Sequence, residues 1–215
     1  MAPLVELKSA GVSLGRHPII DDVSFSIEAG ETIGVIGPNG SGKTTLLRVV
    51  ATLIRPTSGG GAVLGRNLLS PRIREVRPEI GLVSHHPALL PELTVKENLT
   101  HFTNLTGDQS GGIDQALVVV GMSDARSRLV SACSYGMQRR LEVAWLLMAK
   151  PKVLLLDEAK SGLDVSAQGL IDALVELTVS RGGAVISVSH DSGQLGGTAF
   201  TRILGLEHGR LQVVE

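Results

Sequence analysis

Short apolar segments alternate along the chain with longer stretches in which apolar residues recur every three or four positions. The short segments are rich in Val, Ile and Leu, which predicts strands, and the longer ones predict helices. The predicted strands are Leu4–Leu7, Val23–Ile27, Thr32–Ile36, Ile80–Val83, Val153–Leu156, Ala184–Val188 and Thr201–Leu206, with Ala62–Leu64 expected to pair with an early strand. This alternation is typical of an α/β fold with a largely parallel sheet.

Three predicted helices have a clear apolar face. Asp164 is placed to cap the last of them. Their apolar faces comprise Leu46, Leu47, Val50, Leu53 and Ile54 in the first, Leu141, Ala144, Trp145 and Met148 in the second, and Leu170, Ala173, Leu174 and Leu177 in the third. Two glycine-containing stretches predict hairpins or loops, namely Ser58–Gly61 and His208–Gly209.

The segment 87–149 has a helical pattern and no convincing strand, and the turn-rich Thr106–Gly112 interrupts it. We interpret this segment as a helical insertion in the α/β core. The chain is therefore expected to form a single domain of residues 1–215. Its core would comprise about residues 1–86 and 150–215, and its helical subdomain about residues 87–149.

Composition excludes several classes of protein. The 215 residues are 43% hydrophobic and 19% charged, as in soluble globular domains. Twenty basic and twenty-one acidic residues give a net charge of −1, so we expect no nucleic-acid partner. Cys133 is the single cysteine, which excludes an internal disulfide and favours a reducing compartment. The sequence contains no apolar run long enough to span a membrane and no signal-peptide pattern, so a cytosolic chain is expected.

A glycine-rich stretch between a predicted strand and a predicted helix fits the phosphate-loop pattern G-x-x-x-x-G-K-[ST], also called Walker A. Glycines at 37, 40 and 42 expose backbone N–H groups to phosphate oxygens, and the helix that follows adds the positive end of its dipole. Lys43 supplies a charge to the β- and γ-phosphates, and the Thr44 hydroxyl is a candidate ligand of Mg²⁺. The predicted nucleotide-binding residues are Gly37, Pro38, Asn39, Gly40, Ser41, Gly42, Lys43, Thr44 and Thr45.

Two carboxylates follow the apolar strand Val153–Leu156, which is expected to be buried on both faces. The strand places Asp157 and Glu158 at its carboxyl end, where open α/β sheets bind ligands. Asp157 is a candidate ligand of Mg²⁺, and Glu158 is a candidate general base for an attacking water.

Three further motifs follow in order. Cys133-Ser-Tyr-Gly-Met137 precedes a predicted helix, Ser161-Gly-Leu-Asp164 follows Glu158, and His190 follows the strand Ala184–Val188. With the phosphate loop and the acidic strand, these motifs resemble the signature loop, the D-loop and the switch histidine of the ATP-binding cassette (ABC) family. The resemblance covers almost the whole chain. It implies a P-loop NTPase core with an antiparallel β subdomain and a helical insertion.

The resemblance also implies a role for each matching position. Lys43, Glu158 and His190 would be catalytic, with ATP and Mg²⁺ as cofactors and Thr44 and Asp157 at the metal. A second copy of the chain would bind head to tail, and each ATP would be held between the phosphate loop of one copy and the signature of the other. The implied signature residues are Ser134, Tyr135, Gly136 and Met137, and the implied D-loop residues are Ser161, Gly162, Leu163 and Asp164.

The sequence departs from the family pattern at several positions. Leu14 stands where an aromatic residue usually stacks on adenine, which predicts weak discrimination between ATP and GTP. His86 is assigned to the position of the Q-loop glutamine. Because a histidine titrates near neutrality and an amide does not, turnover is expected to fall below about pH 6.5, although simple packing in the loop is an equal alternative. Tyr135 and Met137 replace glycine and glutamine in the signature, and Ala159 replaces a proline. Neither change removes a catalytic group, so activity, at a slow rate, is expected.

The commonest role of the family is transport, so the resemblance implies a separate integral membrane permease. Its docking groove would lie between His86–Pro91 and Glu97–Phe102, although an ordinary loop is the alternative there. The chain would then sit at the cytoplasmic face of the membrane. Its signature and loop sequences look like those of exporters, and the loop is similar to that of the haem-exporter ATPases of cytochrome c maturation. A soluble ABC ATPase with no role in transport and a nucleotide-binding module without hydrolysis are two competing interpretations.

Overall fold

The computed structural model describes residues 2–106, 112–190 and 199–214. Within these residues the chain forms ten strands, five α-helices and three short 3₁₀ helices. The strands are β1 Val5–Leu14, β2 His17–Ile27, β3 Thr32–Ile36, β4 Ser58–Val63, β5 Arg66–Asn67, β6 Ile80–Val83, β7 Val153–Asp157, β8 Ala184–Ser189, β9 Arg202–Glu207 and β10 Arg210–Val214. The α-helices are α1 Lys43–Val50, α2 Val95–Thr106, α3 Ile113–Val119, α4 Tyr135–Ala149 and α5 Val165–Ser180, and the 3₁₀ helices are Ile73–Glu79, Ser123–Ala125 and Val130–Ala132.

The strands form two sheets. The smaller sheet is antiparallel, with the order β2-β1-β4-β5. The larger sheet has the order β10-β9-β3-β8-β7-β6, in which β10 alone is antiparallel to its neighbour. The α/β fold with an antiparallel β subdomain, as predicted from the sequence, is confirmed.

The larger sheet is buried on both faces. Successive side chains of a strand point to opposite faces, so each strand contributes to the apolar layer on either side. On β7, Val153 and Leu155 join an apolar cluster with α1 and the smaller sheet, whereas Leu154 and Leu156 join a second cluster with α4 and α5. The fully apolar sequence of this strand therefore reflects burial in a sheet that is covered by two layers.

The predicted strands are confirmed, with shifted ends, but two stretches differ from prediction. The sequence predicts a hairpin or loop over Ser58–Gly61, and this prediction is wrong, because the stretch belongs to β4 and pairs with β1. Strand β10 has no counterpart among the predicted strands, although the turn His208–Gly209 that precedes it is predicted.

The segment 87–149 contains α2, α3, α4 and two of the 3₁₀ helices. In its described residues the only strand-like pairing is an isolated bridge between Thr94 and Leu129. Residues 107–111 of the predicted turn-rich stretch lie outside the described residues. The helices pack around Leu99 and Leu141, both fully buried, on the second apolar cluster.

Candidate active site

The phosphate loop joins β3 to α1, and its glycines are required by the backbone. Gly40 and Gly42 have φ angles of 81° and 105°, in a region that residues with a Cβ atom rarely adopt. A Cβ atom at Gly42 would also lie 2.7 Å from Ile20 Cγ2. The loop is thus held tightly against the end of the smaller sheet, with the N-terminus of α1 behind it.

The loop carries two buried polar groups suited to an anion. The Lys43 ammonium donates hydrogen bonds to Gly37 O at 2.6 Å and to Pro38 O at 2.9 Å. Burial lowers the pKa of Lys43, and the charges of Glu158 and Asp157 oppose that shift. Among the described residues the buried Ser41 hydroxyl has no hydrogen-bond partner. A phosphate oxygen would satisfy both groups.

Thr44 and Asp157 come together from α1 and β7. The Thr44 hydroxyl donates to Asp157 Oδ1 at 3.2 Å. Burial raises the pKa of Asp157, the hydrogen bond from Thr44 lowers it, and Glu158 raises it further. A hydroxyl and a buried carboxylate are hard oxygen ligands that fit Mg²⁺, which usually keeps several waters or phosphate oxygens as its other ligands. The described residues include no group of three or more acidic, His or Cys side chains able to hold a metal.

Glu158 directly follows β7 in an unusual conformation. Its φ angle is 50°, and its backbone N–H donates to Val188 O of the neighbouring strand β8 at 3.1 Å. A non-glycine residue in this region is uncommon and is found where surrounding contacts determine the backbone. The side chain is half-buried. His190 lies just beyond the end of β8 and is exposed, so both residues lie at the same edge of the larger sheet.

The predicted signature lies at the start of α4, in the helical segment. Ser134 is the N-cap residue, and its hydroxyl accepts from the Met137 N–H at 3.3 Å. Ser134 is exposed, and Gly136 and Met137 are half-buried. Among the described residues, the side-chain hydrogen bonds of Ser134 and Tyr135 are made within α4 and to the loop after β6, and none is made to the phosphate loop.

The predicted D-loop leads into α5. Asp164 caps this helix by accepting from the Ala167 N–H at 2.9 Å, which confirms the predicted cap. Hydrogen bonds from Ser166 and Ala167 lower the pKa of Asp164. Arg140 of α4 donates to the Ser166 hydroxyl of α5 at 2.6 Å and forms an ion pair with Asp164 at 3.9 Å, so the last residue of the D-loop is joined to the signature helix.

The other D-loop residues place the turn between Glu158 and α5. Gly162 has a φ angle of 69°, Leu163 is buried, and Ser161 is exposed, with its N–H bonded to Glu158 O at 3.0 Å. Ala159, at the position where the family often has a proline, is buried in the second apolar cluster. Leu14 is 65% exposed at the hairpin between β1 and β2, where it is free to contact a ligand.

Two adjacent histidines follow β6. His86, the residue assigned to the Q-loop position, is exposed, and its carbonyl accepts from the Ser84 hydroxyl at 2.6 Å. The histidine whose charge acts on Asp157, lowering the pKa of that carboxyl, is its neighbour His85. The two rings are in edge contact, with centroids 4.8 Å apart. The role of His86 stays a prediction, and His85 is a second candidate for the same position.

A buried ion pair near this loop is absent from the sequence-based predictions. Arg139 and Glu142 of α4 are in direct contact, and their side chains are 1% and 6% exposed. The sequence feature that could have indicated this pair is the presence of two oppositely charged residues three positions apart in a helix with apolar neighbours. Such residues are rarely buried unless they are paired.

Comparison with known proteins agrees with this geometry. The ABC transporter family matches residues 20–161. The chain is 36% identical to the cytochrome c biogenesis ATP-binding export protein CcmA of Rhizobium meliloti, over 95% of this chain and 100% of CcmA. It is 36% identical to the uncharacterised ABC transporter ATP-binding protein YhcH of Bacillus subtilis and 37% identical to the methionine import ATP-binding protein MetN of Cupriavidus metallidurans, over 88% and 82% of this chain. It spans 63% of YhcH and 54% of MetN, so it matches only part of those two relatives.

Solved structures share the fold. A dimeric, post-hydrolysis ATP-binding cassette bound to ADP and Pi matches with a TM-score of 0.83 and 25% identity, over 98% of this chain and 99% of that one. The architecture and the matched sequence define a P-loop ATPase. The chain belongs to the ABC transporter family, as an ATP-binding subunit that hydrolyses ATP.

Proposed function

We propose that two copies of this chain bind two ATP molecules head to tail, each between the phosphate loop of one copy and the signature of the other. The observation that carries this proposal is the exposed Ser134 at the N-terminus of the 15-residue helix α4. A helix N-terminus offers N–H donors and a positive dipole to an anion, but among the described residues the Ser134 hydroxyl makes only a local cap bond. The γ-phosphate of an ATP held by a second copy is a suitable partner.

In this arrangement Lys43 binds the β- and γ-phosphates, and Glu158 accepts the proton of the attacking water. His190, at the same sheet edge, contacts the γ-phosphate and helps to hold its developing charge. Mg²⁺, held by Thr44 and Asp157, would supply charge neutralisation to the phosphates. Hydrolysis removes the phosphate that joins the two copies, so the dimer opens once in each cycle.

Crosslinking tests the head-to-tail geometry. Asn39 is exposed in the phosphate loop, so Asn39→Cys and Ser134→Cys provide the two thiols to be joined. Cys133→Ala removes the native cysteine, and Glu158→Gln slows hydrolysis so that ATP stays bound. With ATP and a short bismaleimide we expect a covalent dimer, and without ATP only monomer. Ser123→Cys in place of Ser134→Cys is the control. Equal dimer yields with and without ATP, or from the control, would contradict the clamp.

We propose that this ATPase drives transport through a separate membrane permease at the cytoplasmic face. None of the described helices is long and apolar enough to cross a membrane. The stretch 87–91 exposes Ala88, Leu90 and Pro91, while buried Asn98 of α2 holds the Leu90 N–H and carbonyl at 2.8 and 3.0 Å. An apolar stretch held in place in this way suits the cytoplasmic part of a membrane partner. Co-purification with a polytopic membrane protein, lost in Leu90→Glu, tests this proposal.

We propose export, with haem as the candidate cargo, because CcmA is matched over its whole length whereas MetN is matched over 54%. Stimulation of the ATPase of the purified complex by haem, and not by methionine, is the expected result. Stimulation by methionine together with a solute-binding protein would indicate import instead. Activity that needs no membrane partner would favour a soluble ABC ATPase.

Leu14 leads to a prediction about the base. Because it is aliphatic and exposed, we expect ATP and GTP to bind with affinities within about threefold of each other. Leu14→Tyr adds a stacking surface, which is worth about 1–3 kcal/mol for any base, so both affinities should rise by roughly fivefold or more. Competition against a fluorescent nucleotide measures both. A strong preference of the unmodified chain for ATP would contradict the prediction.

A further inference from the structure

The loop after β6 is fixed to the signature helix by a set of residues that the proposed clamp does not use. Tyr135, Arg139 and Glu142 lie three and four positions apart, and therefore on one face of α4. We name these three residues the brace. Their hydrogen bonds join them to one another and to the backbone of residues 84–88.

Tyr135 has the most direct contact with this loop. Its hydroxyl donates to the His85 carbonyl at 2.8 Å and accepts from Arg139 Nη2, also at 2.8 Å. The hydroxyl is thus bonded within its own chain and does not contribute to the surface that Ser134 presents. At a position where the sequence predicts a phosphate contact, the Tyr135 side chain instead holds a loop.

Arg139 and Glu142 support that contact. Arg139 Nη2 also donates to the Ser84 carbonyl at 2.8 Å and to the His85 carbonyl at 3.3 Å. Glu142 pairs with Arg139 and interacts with the Ala88 N–H. Because the pair is buried, its geometry is determined by packing, and the backbone of 84–88 is anchored to a rigid part of α4.

The brace ends at the active site. Strand β6 pairs in parallel with β7, with Val83 opposite Leu156, so His85, whose carbonyl the brace holds, follows β6 at the same sheet edge at which Asp157 ends β7. We infer that Tyr135 is a positioning residue for ATP hydrolysis that acts through His85. This inference rests on the proposed function, because it takes ATP hydrolysis at the sheet edge of Asp157 and Glu158 as given. Tyr135 thus positions His85 of its own copy and does not bind the nucleotide held by the other copy.

A double-mutant cycle with Tyr135→Phe and His85→Ala tests the inference. Tyr135→Phe removes one hydroxyl from a residue that is 36% exposed, so the fold should be retained. We expect kcat to fall by about threefold to tenfold and the KM for ATP to stay within about twofold. Because Tyr135 acts through His85, the double variant should have the kcat of His85→Ala alone.

The control is Thr103→Val, which removes another hydroxyl bonded to a backbone carbonyl of the helical segment, at 2.9 Å. It should leave kcat unchanged. Hydrogen exchange of the 84–88 amides is the second readout, and Tyr135→Phe, but not the control, should accelerate it. An unchanged kcat in Tyr135→Phe, or two losses that multiply in the double variant, would overturn the inference. The clamp is tested separately by crosslinking, so failure of one does not imply failure of the other.

Discussion

Glu158→Gln is expected to lower ATP hydrolysis by at least about 100-fold, since general-base catalysis contributes about 10²–10⁴-fold. Glutamine keeps the size of the side chain and its hydrogen-bonding capacity but cannot accept the proton of water at neutral pH. Lys43, Thr44 and Asp157 are untouched, so ATP affinity should stay within a few-fold. Phosphate release under saturating ATP and Mg²⁺ measures the rate.

The matched control is Glu92→Gln, a substitution of the same type at an exposed position in the loop before α2. It should leave hydrolysis unchanged. If Glu158→Gln retained most of the activity, Glu158 would not be the base. If the unmodified chain released phosphate no faster than Glu158→Gln, it would act as a nucleotide-binding module and not as an ATPase.

The phosphate loop and the acidic strand could be predicted because their chemistry depends on neighbours in sequence. Gly42 and Lys43 act through the backbone turn between one strand and one helix, and Asp157 ends a strand whose apolar sequence indicates its burial. At these positions the local sequence pattern agrees with the observed strand and helix.

The first part of strand β4, Ser58–Gly61, could not be predicted because its backbone, not its side chains, determines the structure. Glycines disfavour strands, and Ser58–Gly61 contains three of them. They are nevertheless required, because a Cβ atom at Gly59 or Gly61 would collide with the Ser9 or Glu6 carbonyl of β1. The close approach of the β1 backbone is a tertiary contact, and the local sequence pattern does not indicate it.

The brace could not be predicted either, because its contacts join residues that are far apart in the sequence. Tyr135 and His85 are fifty positions apart. The sequence shows that Tyr135 replaces the usual glycine, but not that its hydroxyl turns back toward its own chain. The pairing of a loop with a helix face depends on how α4 packs on β6, which periodicity does not specify. His85 and His86 are likewise adjacent in sequence, and the sequence does not indicate that it is the charge of His85 that lowers the pKa of Asp157.

Loss of the Glu142 carboxylate is expected to be the most destabilising change among the ion pairs in the described part of the chain. Glu142→Ala leaves the Arg139 guanidinium, 1% exposed, without its buried partner. Removing one partner of a buried pair costs about 3–5 kcal/mol in free energy of unfolding. Glu75→Ala is the matched control, because it breaks the Arg72–Glu75 pair, which has the same spacing but is exposed, and it should have a much smaller effect. Urea unfolding at about pH 8 compares them, since the carboxyl of Glu142 is then ionised.

The same carboxyl predicts a pH dependence. Burial raises the pKa of Glu142 to about 7, although the charge and hydrogen bond of Arg139 oppose the shift. A carboxyl with a raised pKa in the folded state binds its proton more tightly there than in the unfolded chain. Its contribution to stability is therefore most favourable below its unfolded pKa of about 4.5, and it declines as the pH rises from there through about 7.

Glu142→Gln isolates this effect, because glutamine fills the site and does not ionise. The free energy of unfolding of the unmodified chain, minus that of the variant, should fall between about pH 5 and pH 8 and then level off. Titrating groups such as Asp157 are present in both proteins, so their contributions cancel in the difference. A difference that stays constant over this range would mean that Arg139 keeps Glu142 ionised throughout, and the pair would then act as a permanent salt bridge in the brace.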